Sequence, residues 1–93
     1  MEKDIENAIG IAKEQLEDIL DALHMEHNIT CKYIEYDSTD ANFYGITHFV
    51  AEINKLSYRS AVIRYRPIAE TEEQYVNRVK AYLFNVLDAA VNL

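Results

Sequence analysis

Two apolar stripes at helical spacing stand at opposite ends of the chain, and they restrict its fold more than any other feature. In the first, Ile5, Ile9, Ala12, Leu16, Ile19 and Leu23 recur at alternating steps of four and three, with Leu20 widening the stripe. This spacing predicts an amphipathic helix over residues 2–26. Gly10 weakens it by about 1 kcal/mol relative to alanine, which leaves two shorter helices as the alternative. The second stripe, Tyr75, Val76, Val79, Tyr82, Leu83, Val86, Leu87 and Ala90, follows Thr71-Glu72-Glu73-Gln74. That tetrad has the form of a capping box, in which Thr71 caps the amide of Gln74 and Gln74 reaches back to Thr71. Glu70, Glu72 and Glu73 lie where the helix dipole favours acids. A helix runs from there almost to the end. Both stripes need an apolar layer against them, and the segment between can supply one.

That segment reads as three strands. Ile29 to Tyr33 alternates apolar and polar residues before Ile34-Glu35-Tyr36, which fits a strand, and Asp37-Ser38-Thr39-Asp40 has the composition of the turn after it. Between Phe43 and Leu56 the apolar residues match helical spacing, yet Phe, Tyr, Gly, Ile, Thr, His and Val are mediocre helix formers and most suit a strand. Composition therefore favours a strand over residues 43–53. After a turn at 54–57, Ala61, Ile63 and Tyr65 face one way and Val62, Arg64 and Arg66 the other, until Pro67 ends the ladder. The expected architecture is α+β: helix, three-stranded antiparallel meander, helix (αβββα), in a single compact domain over residues 1–93. The expected core includes Ile9, Leu16, Ile19, Leu23, Ile63, Val79, Leu83 and Val86. Two helices cover one face of such a sheet, so the other face carries Lys32, Arg64 and Arg66 or meets a partner.

Charge is distributed unevenly. Eight acids against Lys3 and Lys13 give residues 1–26 a net −6 of the chain's total of −7, while residues 27–93, with seven bases and eight acids, are nearly neutral. Such a field repels phosphates and attracts basic partners. Glu14, Glu17, Asp18 and Asp21 stack a helical turn apart and repel one another by a few tenths of a kcal/mol per pair. Their spacing of roughly 5 Å approximates that of phosphates along a nucleic-acid strand. Cys31 is the only cysteine, and residues 1–4 carry neither the basic nor the apolar part of a signal peptide. A reducing cytoplasm is therefore expected, and no apolar run approaches the length of a membrane span.

Chemistry-bearing motifs are sparse. His24, His27 and Cys31, with His48 as a fourth donor, could ligate zinc, but the set lacks the tight ligand pairs of a structural site. Their simpler roles are favourable charge near a helix C-terminus and a small strand residue. With only Gly10 and Gly45, the chain has no phosphate-cradling loop, and no nucleophile motif is present. No enzyme activity, metal or cofactor is expected. Seven tyrosines suit half-buried sheet positions and interface centres alike, with Tyr44 and Tyr65 as candidate contact residues. Arg59, Arg64 and Arg66 interleave with Tyr58 and Tyr65 in a pattern that could stack and neutralise single-stranded nucleic acid, against which the total charge argues.

The element order resembles that of double-stranded-RNA-binding domains, which place a basic cluster at the start of their last helix. Glu70, Glu72 and Glu73 occupy that place here, so direct nucleic-acid binding is not expected. In size, acidity and mixed architecture the chain resembles small phage-encoded inhibitors of host defence, including anti-CRISPR proteins. That resemblance implies a protein-binding inhibitor that imitates nucleic acid and acts on a basic partner surface. The expected binding residues are Glu14, Glu17, Asp18 and Asp21 on the acidic helix, with Tyr44 and Tyr65 on the sheet. The alternatives are a homo-oligomeric assembly subunit that associates through its amphipathic helix and tyrosine-rich sheet, and a small ligand-binding or enzymatic domain whose pocket has no motif.

Overall fold

The computed structural model describes the backbone of residues 2–37 and 43–92 and the side chains of residues 4–36 and 45–92. Its elements follow the expected order: α1 (Glu2–Ala22), β1 (His27–Asp37), β2 (Phe43–Ile53), β3 (Ser57–Tyr65) and α2 (Glu72–Val91). The three strands form one antiparallel sheet in the order β1-β2-β3. Residues 43–53 are thus the central strand. Thr47, Phe49, Ala51 and Ile53 point into the core at strand period, and the apparent helical spacing arose because apolar residues lie on both faces. Residues 38–40 of the expected first turn lie outside the described residues.

Both helices cover the same sheet face. Near the start of each helix, Ile5 and Ile9 of α1 meet Tyr75 and Val79 of α2 over Tyr33, Ile63 and Tyr65. Near their ends, Leu16 and Leu20 meet Leu83, Val86 and Ala90 over Ile29, Phe49, Ala51 and Ile53. The helices therefore run parallel. Phe49 and Tyr82 meet edge to face, with ring centroids 5.2 Å apart at 84°.

Two parts of the first helix differ from expectation. The buried line runs through Ile5, Ile9, Ala12, Leu16 and Leu20, while Ile19 and Leu23, expected in the core, are 37% and 48% exposed. A stripe stepping four and three averages 3.5 residues per turn, and a straight helix with 3.6 drifts away from it within a few turns. The helix also stops at Ala22, four residues early. His24 takes the left-handed conformation, with φ 57°. Its amide donates to the Asp21 carbonyl at 3.0 Å and that of Met25 to the Leu20 carbonyl at 2.9 Å, the paired bonds that close a helix C-terminus. Glycine normally signals such an end, and a histidine hides it.

The β2–β3 hairpin uses the same backbone region. Asn54 and Lys55 have φ of 54° and 59°, matching the right-handed twist of the strands they join. Asn54 also ties this turn to the α1–β1 loop. Its amide donates to the Glu26 carbonyl at 2.8 Å, and its side-chain oxygen accepts from the Glu26 amide at 2.9 Å.

The two glycines should respond to substitution with opposite signs. A methyl group at Gly10 meets nothing within 4 Å. Gly10→Ala should raise stability by about 1 kcal/mol, and His24→Gly by a similar amount through relief of the left-handed strain. At Gly45 the same methyl would overlap the buried Tyr33 ring. Gly45→Ala should cost about 1–3 kcal/mol. Urea unfolding of the three variants checks this, and a destabilised Gly10→Ala would contradict a continuous α1.

Candidate functional site

The acidic face of α1 is narrower than its sequence suggests. Glu14 and Asp18 are exposed on the side turned from the core. Glu17 lies 3.4 Å from the ammonium of Lys13 one turn back and 3.9 Å from Nδ1 of His27. Asp21 meets Nε2 of His27 at 2.7 Å. His27 is the first residue of β1, so these contacts hold the C-terminal half of α1 against the β1 edge and occupy two of the four acids. Glu14 and Asp18, with exposed Glu6 two turns earlier, remain open to a partner.

The two candidate tyrosines fare differently. The side chain of Tyr44 lies outside the described residues. Tyr65 is buried beneath the helices and stacks on Tyr75, with centroids 4.7 Å apart at 25°, so it offers no surface to a partner. Strand alternation had placed it with Ala61 and Ile63, which is the inward face. Tyr33 joins the pair at 5.9 Å from Tyr75. The hydroxyl of Tyr75 donates to the Ile63 carbonyl at 2.6 Å. Its single proton is thereby used, so the Thr47 hydroxyl, also at 2.6 Å, must donate to the Tyr75 oxygen. Thr47 and Tyr75 are both fully buried, and this pairing satisfies both hydroxyls.

The histidine and cysteine candidates are not brought together. Cys31 lies on the helix-facing side of β1, and burial pushes its thiol up to about 11 despite nearby Lys13, which makes it a poor nucleophile. His48 pairs with Lys32 in the register, and both lie on the opposite sheet face. Among the described residues no three His, Cys, Asp or Glu side chains form a metal-binding group, and no helix is long and apolar enough to cross a membrane.

On the uncovered face, Lys32, His48 and Val62 form one cross-strand row and Ile34, Ile46 and Arg64 the next. Lys32, Arg64 and Arg66 are all exposed, as expected. At the β3 edge this face falls into an open depression of about 670 Å³ lined by Val62, Arg64, Arg66, Ala69, Glu70 and Arg78. The Arg78 guanidinium donates to both carboxylate oxygens of Glu70, at 2.6 and 3.3 Å, and to the Arg64 carbonyl at 2.5 Å, and it lies 5.3 Å from the centre of the Tyr75 ring. The Glu70 carboxylate raises the Arg78 pKa further and fixes it as a cation. Sequence reasoning placed Arg64 and Arg66 on this face but missed Arg78. Glu70 precedes the helix and Arg78 lies two turns inside it, a separation that no pairing rule flags.

No protein-family model matches the chain, and neither a curated protein nor a solved structure shows detectable similarity to it.

The tyrosine cluster gives the fold an alkaline limit. Burial raises the pKa of Tyr33, Tyr65 and Tyr75 above the ordinary 10.0; the Glu35 carboxylate adds to the rise at Tyr33 and those of Glu72 and Glu70 at Tyr65, while Thr47 and Arg78 oppose it at Tyr75. The unfolded chain therefore loses these protons first. Stability from the phenols is complete below pH 10 and falls as pH rises beyond it. Their phenolate absorbance should appear together with loss of structure, and reversible ionisation of all three in the intact fold would refute the arrangement. Tyr75→Phe, which removes the link between Thr47 and Ile63, should cost about 1–3 kcal/mol in urea unfolding.

Proposed function

We propose that this protein is a small, non-enzymatic protein-binding module that docks the acidic outer face of α1 on a basic partner surface, acting as an inhibitor that imitates nucleic acid. The observation that carries this reading is the exposed pair Glu14 and Asp18, one turn apart on an unbroken helix of 21 residues. A rigid helix presents charges at fixed spacing without the ordering cost of a flexible acidic tail. Lys13 is the only base among the described side chains of α1, and it is turned to Glu17. A cytoplasmic location goes with this reading, because the nucleic-acid-binding grooves that such an inhibitor would fill are found there. A host-defence protein with a basic nucleic-acid-binding groove, the kind of target implied by the resemblance to phage-encoded inhibitors, would have the complementary charge.

The test compares wild-type protein with a variant carrying Glu14→Gln and Asp18→Asn as baits in host lysate, followed by rate measurements on whatever is retained. The variant should fold, because exposed charges contribute little to stability. It should associate about 10 to 1,000 times more slowly, and added salt should slow the wild type in the same way. Equal retention and equal rates for the two baits at low and high salt would remove the acidic-helix reading.

A further inference from the structure

A chain with a net charge of −7 places three of its four arginines on one concave surface. Glu70 neutralises one of them by its ion pair with Arg78. Among the described residues no carboxylate pairs with Arg64 or Arg66, so the depression keeps two unneutralised guanidinium groups. Converging like charges oppose folding, and the fold holds them together by fixing Arg78 from three sides. The depression is shallow and open to solvent, whereas small-ligand sites enclose most of their ligand. Its occupant is therefore a surface. That occupant does not add as a strand beside Arg64, since Arg78 already caps the Arg64 carbonyl.

We propose that the depression receives Glu14 and Asp18 from α1 of a second copy of this chain, joining copies head to tail. The inference rests on the reading of α1 as a binding face and names the basic surface it meets. Three observations support it. The charges are complementary in sign, with the neighbouring exposed acids Glu14 and Asp18 set against two unpaired arginines. The spacings also match: residues four apart on a helix lie about 6 Å apart, and Arg64 and Arg66, two apart along an extended chain, about 7 Å. Finally, the two surfaces lie on different parts of the molecule. α1 is clipped to the β1 edge through His27, and the depression is at the β3 edge, so no copy can satisfy itself. Such a contact is heterologous, and it gives rings or filaments according to whether its rotation closes. Both copies carry −7 and repel at long range. The contact therefore needs screening, which at about 0.15 M salt confines repulsion to about 8 Å.

The test uses two variants of the full chain. One, Arg64→Glu with Arg66→Glu, lacks the socket; the other, Glu14→Gln with Asp18→Asn, lacks the ridge. Sedimentation of the wild type at about 0.15 M salt should show mass rising with concentration and falling back to monomer near 1 M. Each variant alone should remain monomeric, with self-association weakened by about tenfold or more. Mixed in equal amounts they should form a dimer and nothing larger, because each retains one half of the contact. Should the glutamates disturb folding, Arg64→Gln with Arg66→Gln replaces them. A wild type that stays monomeric at all concentrations, or variants that fail to complement each other, would overturn the proposal. So would binding of a short fluorescent single-stranded oligonucleotide that the Arg64→Glu and Arg66→Glu changes abolish. If the protein is monomeric yet the bait experiment still shows charge-dependent capture, only this inference falls; if both fail, the reading of α1 falls with it.

Discussion

The Tyr75 hydroxyl is the group through which the helix layer and the sheet are fixed to each other. It joins α2 to the central strand at Thr47 and to the edge strand at Ile63, in a buried setting where leaving any of these groups unpaired would cost about 1–3 kcal/mol. Apolar contacts alone would allow α2 to roll or slide by a fraction of a turn. Two hydrogen bonds of 2.6 Å allow far less. The position of Tyr75 is set in turn by the capping box, which starts the helix at Glu72 and places Tyr75 in its first turn. Val79, Leu83, Val86 and Ala90 then fall on the sheet side at helical spacing.

The same constraint sets the charged surfaces. With α2 fixed by Tyr75, Arg78 lies one turn further on and at the β3 edge, where Glu70 and the Arg64 carbonyl hold it. Across the molecule, α1 buries its apolar line and so turns Glu14 and Asp18 outward, while His27 takes up Glu17 and Asp21. An acidic helix layer and an arginine-rich strand edge result. Local charge repulsion is tolerated in both, and each is held by a neutral or ion-paired scaffold beneath it.

Element order was legible in the sequence because it depends on local chemistry: the capping box at Thr71, the proline after β3, and the alternation that sorted Ala61, Ile63 and Tyr65 from Val62, Arg64 and Arg66. That sorting already put Tyr65 inside, although tyrosine content alone had suggested an interface. The end of α1 was not legible, since His24 adopts a conformation that sequence rules assign to glycine. Nor was the exposure of Ile19 and Leu23, because a step of four and three fits a stripe on paper that a real helix does not keep.

The sequence by itself determined the αβββα order, the amphipathic faces and the concentration of acid in the first helix, all of which follow from residues within a few positions of one another. Tertiary structure alone decided which acids stay free, since that depends on His27 arriving beside Glu17 and Asp21 across the α1–β1 loop. It likewise decided that Arg64, Arg66 and Arg78 share one depression, because Arg78 reaches the strand edge only once Tyr75 has set the position of α2. Both depend on residues distant in sequence being brought within hydrogen-bonding distance, where the fall of electrostatic and hydrogen-bond energies over a few ångströms makes placement, and not composition, the controlling variable.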